Sequence, residues 1–96
     1  MQKEFQQIAY TYLIKAADKG VGASYYYLGT MYEEGIYATK DGEAAVDCYI
    51  SGAAKNNAYC FYKLSILHGE GRIVEKDPYL EFRYLKRSAE EGFVLA

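Results

Sequence analysis

Apolar residues fall at helical spacing in five stretches separated by short breaks. In the second stretch Tyr25, Leu28, Gly29 and Tyr32 share one face, and in the fourth Phe61, Leu64, Ser65 and His68 do the same. The pattern predicts helices over 4–19, 23–34, 42–54, 58–69 and 78–91. No segment alternates with period two for long enough to make a strand. The breaks carry helix punctuation. Gly20, Gly35, Gly71 and Gly92 are placed to end helices, and Asn56 takes the same role after the third. Asp41 is a candidate N-cap, and Asp77-Pro78 puts a cap before a proline at the first helical position. Short breaks favour antiparallel neighbours.

These stretches are copies of one another. A shift of 36 residues carries Tyr26 to Tyr62, Leu28 to Leu64, Gly35 to Gly71 and Asp41 to Asp77. Ala17 meets Ala53 and then Ala89, and Gly20 meets Asn56 and then Gly92, with no gap required. A period of this length marks a solenoid of small units, none able to bury its apolar face alone. The first, third and fifth helices end in small residues, Ala16-Ala17, Gly52-Ala53 and Ser88-Ala89, which let a crossing helix come close. The units read as a partial repeat over 1–20, whole repeats over 21–56 and 57–92, and the start of another at 93–96. The fold class expected is all-α, an α-solenoid of antiparallel helix pairs with about five helices. Solenoids present surface, so the function expected is binding another protein. A structural role within a longer array or larger assembly, with self-association through open ends, is the alternative.

Composition narrows the partner classes. Ninety-six residues suit one domain, and a formal net charge of -2 does not favour nucleic acid, which needs clustered Lys and Arg. Hydrophobic residues make up 51% of the chain, but twelve residues are Tyr and the mean hydropathy is -0.26. No apolar run approaches the roughly 20 residues of a membrane span, so no direct membrane insertion is expected. Met1-Gln2-Lys3-Glu4-Phe5 lacks the apolar stretch of a signal peptide. Cys48 and Cys60 are too few for a disulfide framework and read as free thiols, which fits a reducing, cytoplasmic setting.

The residues of the period carry a family resemblance. Ser24, Leu28, Gly29, Tyr32, Gly35, Asp41, Ala45 and the tail Ala53-Ala54 form one copy. Cys60, Leu64, His68, Gly71, Val74, Asp77, Tyr84 and the tail Arg87-Ser88-Ala89-Glu90-Glu91-Gly92 form the next, and Ala9, Tyr12 and Lys15-Ala16-Ala17-Asp18-Lys19-Gly20 a leading part. This resembles the Sel-one-like repeats, relatives of the tetratricopeptide repeat. The chain departs from the pattern at Cys48, where an aromatic is usual, at Tyr37 and Ile73, where a second Gly is usual, and at Gly52 and Asn56 in the middle tail. The resemblance implies a right-handed superhelix and a scaffold or adaptor role. A cysteine-rich branch linked to hydrolysis of β-lactam-like compounds has bridging Cys where this chain has Ala53 and Phe61, so that activity is not implied.

In a tetratricopeptide-like stack the leading helices line a concave groove. Tyr25, Tyr26 and Tyr27 are consecutive and so point about 100° apart. Tyr25 shares the stripe of Leu28, which leaves Tyr26 on an adjoining face with Thr30, Glu33 and Glu34. The next repeat places Tyr59, Tyr62, Ile66 and Glu70 there. These eight residues are the candidate protein-binding site. Tyr26 and Tyr62 read equally as groove contacts or as packing between helices. The Glu residues read as solvated helix ends or as a site for a partner carrying Lys or Arg. Glu33 and Glu34 lie at a helix C-terminus, where the macrodipole disfavours negative charge, which hints that they await a cation.

Candidate chemistry adds little. His68, on the core face, reads as a packing residue. No second His or Cys-x-x-Cys offers metal spacing, Ser65 reads as a small packing residue, and Gly69-Glu70-Gly71 follows a helix and reads as a turn. No catalytic residue, cofactor or metal is expected, and the protein is expected not to be an enzyme.

Overall fold

In the computed structural model, which describes residues 2–37 and 39–92, the chain forms five helices. They are α1 (Gln2–Asp18), α2 (Gly22–Glu34), α3 (Gly42–Ala54), α4 (Ala58–Glu70) and α5 (Pro78–Glu90). No strand occurs among the described residues. Each helix lies within two residues of its predicted span. The further repeat expected at 93–96 lies outside the described residues.

The caps explain the boundaries. The Asp41 carboxylate accepts from the Ala44 N–H at 3.1 Å, and the Asp77 carboxylate accepts from Tyr79 and Leu80, both at 3.1 Å. Asn57 caps α4, its side chain accepting from the Cys60 N–H. The helix ends repeat with the sequence. The Val21 N–H donates to the Ala16 carbonyl, and 36 residues on Asn57 donates to Gly52, both at 3.0 Å. Ile36 donates to Met31 and Arg72 to Leu67, while Asp41 donates to Tyr32 and Asp77 to His68. Asn56 takes a left-handed backbone with φ of 61°. Tyr37 and Ile73 do so too, with φ of 65° and 72°. Those two positions are where the family pattern prefers Gly, and the backbone keeps the glycine conformation without the glycine.

The helices stack as pairs in an elongated body of 41 × 25 × 24 Å. Packing is most extensive between α2 and α3 and between α4 and α5, with α3 on α4 and α1 on α2 joining the pairs. Helices α2 and α4 also approach each other directly, whereas α1 and α3, or α3 and α5, do not among the described residues. The stack is therefore tighter on the side of the leading helices α2 and α4, which makes that side the concave one.

The core is built from Ala45, Tyr49, Ala53, Cys60, Phe61, Leu64 and Leu67. Close approach depends on missing side chains. A Cβ on Gly29 would come within 2.5 Å of the Tyr49 ring, and one on Gly52 would collide with the Cys60 sulfur. Two serines tie α5 to α4: Ser65 Oγ donates to the Glu81 carbonyl and Ser88 Oγ to the Ala58 carbonyl, both at 2.8 Å. His68 stacks on Tyr84 with ring centroids 5.8 Å apart. Cys60 is buried and Cys48 half-buried, both as free thiols. Burial pushes their pKa values up to about 12 and about 11, which keeps them protonated and poorly nucleophilic.

Candidate functional site on the concave face

The leading helices bring Tyr26 and Tyr59 together across the repeat boundary. Their ring centroids lie 5.5 Å apart, and Tyr27 packs edge-on against Tyr26 at 5.3 Å. Tyr27 and Tyr59 are about half exposed, at 55% and 51%, while Tyr26 is half-buried with Tyr49 beneath it at 6.4 Å. The result is an aromatic strip running from α2 to α4. Tyr62 and Ile66 are half-buried on α4. Tyr27 was not among the sequence candidates. The consecutive position beside Tyr26 was its only signal.

Thr30 faces inward. Its hydroxyl donates to the Tyr26 carbonyl and lies 3.5 Å from the Tyr49 hydroxyl. Glu33 is buried, with 8% exposure, and is neither a solvated helix end nor an open cation site. Its Oε1 accepts from the Tyr49 hydroxyl at 2.7 Å and pairs with Lys63 Nζ at 3.2 Å; its Oε2 pairs with Arg72 at 2.8 Å. The misfit between Glu33 and the helix dipole is thus relieved within the chain. Burial pushes the Glu33 pKa up, but Tyr49, Lys63 and Arg72 together outweigh it and hold the carboxyl below its ordinary value. Burial and the adjacent carboxylate raise the Tyr49 pKa, so its hydroxyl stays a donor. Lys63 also lies over the Tyr49 ring, 5.8 Å from its centroid. Glu70 is exposed and pairs with Arg72 at 3.1 Å. Glu34 is exposed.

Of the eight candidates, Tyr26 and Tyr59 are in ring contact, and Glu33 and Glu70 share Arg72. Thr30 and Glu33 meet at Tyr49. The residues that organise this face, Tyr49, Lys63 and Arg72, come from α3, α4 and the turn after α4. Nothing local in the sequence joins them to Glu33. Among the described residues no cluster of three or more His, Cys, Asp or Glu is placed to hold a metal ion. No described helix is long and apolar enough to cross a membrane.

A periodic stack of helix pairs with a lined concave face defines the class as a helical-repeat solenoid. The model of the Sel1 repeat matches residues 6–21, 22–57 and 58–93, and the chain belongs to the Sel1 repeat family. Sel1 repeats generally mediate protein–protein interactions. A crystal structure of a Sel1 repeat protein from Oxalobacter formigenes is similar, with 28% identity and a TM-score of 0.85 over 96% of this chain. The chain spans 36% of that protein's length. The comparison with curated proteins found no match.

Proposed function

We propose that this chain is a non-catalytic protein-interaction module that takes a partner segment on the concave face of α2 and α4. The observation that carries the reading is the half-exposed strip of Tyr27, Tyr26 and Tyr59. Large aromatic side chains held by neighbouring rings lose little entropy on contact and dominate interface energetics. Tyr62 and Ile66 extend the contact along α4, and Thr30 lies at the base of the strip. Glu33 from below and Glu70 at the rim together offset Lys63 and Arg72, so neither cation is left to repel a basic partner, and Glu34 adds negative charge at the rim for a segment carrying Lys or Arg. A scaffold or adaptor role follows from this reading. The exposure of Phe5 and Tyr12 at one end and of Tyr79 and Phe82 at the other favours a second reading, a structural unit within a longer array.

A random peptide library displayed against the chain tests the groove. Selected peptides are expected to carry an apolar anchor beside Lys or Arg. Their binding is expected to shift backbone amide resonances at Tyr26, Thr30, Tyr59, Tyr62 and Ile66. The double substitution Tyr26→Ala and Tyr59→Ala is expected to weaken binding by roughly tenfold or more with helicity retained. Resonance shifts confined to other faces would overturn the assignment.

A further inference from the structure

Where a helix meets the turn of the following repeat, the chain makes the same junction twice and fills it once. At the earlier junction the Tyr10 ring of α1 packs on Tyr37, with centroids 5.3 Å apart. A shift of 36 residues carries Tyr10 to Val46 of α3 and Tyr37 to Ile73 in the turn after α4. The backbone repeats, with φ of 65° at Tyr37 and 72° at Ile73. The side chains do not. Two rings give way to two smaller aliphatic groups. A cleft of about 280 Å³ lies open there, lined by Glu43, Val46, Asp47, Ile73 and Val74. The turn is already close to α3, since a Cβ on Gly42 would come within 3.0 Å of Ile73 Cγ2. Both walls lie within residues matched by the second and third Sel1 repeats, 22–57 and 58–93, away from either end of the stack.

The rim changes in the same shift. Gln7 and Thr11 are uncharged, whereas their counterparts Glu43 and Asp47 are exposed carboxylates one turn apart on the same helix face. Like charges so placed repel each other. Neither forms an ion pair among the described residues. Arg72, the cation next to Ile73, is already engaged by Glu33 and Glu70. Glu43 lies in the first turn of α3, where the helix dipole favours it, but Asp47 is a turn further on and gains little from that source. An aliphatic floor beneath an anionic rim selects the occupant. Two carboxylates supply too few oxygens for a bare cation such as calcium. A wholly apolar side chain would leave the carboxylates to lose water without a partner. A side chain with a methylene stem and a cationic head answers both parts of the cleft. Guanidinium is more weakly hydrated than ammonium, and its planar fork can donate to both carboxylates at once.

We propose that the cleft between α3 and the turn after α4 receives an arginine side chain of a partner protein. Its stem lies on Ile73 and Val74, and its guanidinium lies between Glu43 and Asp47. None of the lining residues belongs to the concave-face site, so this is a second point of contact.

The peptide acetyl-Gly-Arg-Gly-amide is the probe, titrated into the chain isotope-labelled at its Ile and Val methyl groups. The Ile73 and Val74 methyl resonances are expected to shift and to saturate. Replacing the arginine by citrulline, its neutral isostere, is expected to weaken binding by at least about tenfold, and replacing it by lysine by at least about threefold. Glu43→Gln with Asp47→Asn alters exposed side chains only, so the fold is retained, and is expected to weaken binding by at least about tenfold. Val46→Tyr with Ile73→Tyr rebuilds the ring pair of the earlier junction and is expected to abolish the Val74 shift. The carboxylate pair carries the test if the ring pair disturbs folding. No saturable shift, equal binding of the citrulline peptide, or binding unchanged by the carboxylate substitutions would overturn the proposal. A lysine peptide that binds as tightly as the arginine peptide would overturn the assignment to arginine. Sedimentation showing a dimer that Glu43→Gln with Asp47→Asn dissociates would also overturn it, by assigning the cleft to a second copy of the chain.

Discussion

Glu33 sits at the C-terminal end of α2, where the helix dipole opposes its charge, yet it is buried. Three donors make that position stable, and they arrive from three different parts of the chain. The partnership has a pH signature. The folded carboxyl titrates below its ordinary value of 4.5. Its contribution is therefore fully present above that value and is lost as the pH falls through the lower folded pKa. Glu33→Gln is expected to destabilise the protein by about 1–3 kcal/mol at pH 7. The lower part of that range is favoured, because Arg72 is half exposed and solvent screens its pair. The gap between parent and variant should close once the pH has fallen below the lowered folded pKa, when both side chains are neutral. Urea unfolding at pH 7 and along a descending pH series checks this; a gap that does not narrow as the pH falls would show that the charge is not the cause. The sequence carried half of this result. Adjacent carboxylates at a helix C-terminus signal a missing cation, and that inference is local. That Glu33 finds its cations inside the chain while Glu34 stays exposed depends on Lys63 and on Arg72, the latter 39 residues away, and no local rule supplies such a contact.

The elements were more legible than the site because their determinants are short-range. Asp41, Asp77-Pro78 and Asn56 act on backbone within a few residues, so caps read from the sequence recur in the structure at the same positions. Helix contacts were legible where side-chain size alone decides them, as at Gly29. The missing side chain there admits the Tyr49 ring, and the ring in turn delivers its hydroxyl to Glu33. Helix α1 carries Leu13 where α3 carries Tyr49. This suggests a test of the α2–α3 fit. Gly29→Ala should cost about 1–3 kcal/mol in the natural chain, because the buried ring has nowhere to move. In a Tyr49→Leu background the same change should be neutral or stabilising by up to about 1 kcal/mol, since Ala favours helix over Gly. A double-mutant cycle measures the coupling. Additive costs would mean that the ring is not what demands glycine at that position.

For the whole molecule, stability runs along the stack rather than around a centre. Helices α3 and α4 each have packed neighbours on two sides, while among the described residues α1 rests on α2 alone and α5 on α4 alone. The two ends are not equivalent. Helix α5 is held by the Ser65 and Ser88 hydroxyls and by Arg87 over the Phe61 ring, 4.8 Å from its centroid. Helix α1 is joined to α2 by the Tyr10–Tyr32 hydroxyl contact at 2.8 Å and by the Tyr25 hydroxyl on the Ala17 carbonyl. Ala17 is the sole buried residue of α1 among those described. An apolar groove on α1, lined by Phe5, Tyr12 and Leu13, lies open where α3 receives packing from α2 at the same repeat position. Local opening should therefore begin at α1. Amide hydrogen exchange followed by mass spectrometry is expected to show α1 protected about tenfold or more below α5, and α5 below α3 and α4. Equal protection across all five helices would show that the chain opens as a single cooperative unit, and would remove the link between the open groove and a weakly held end.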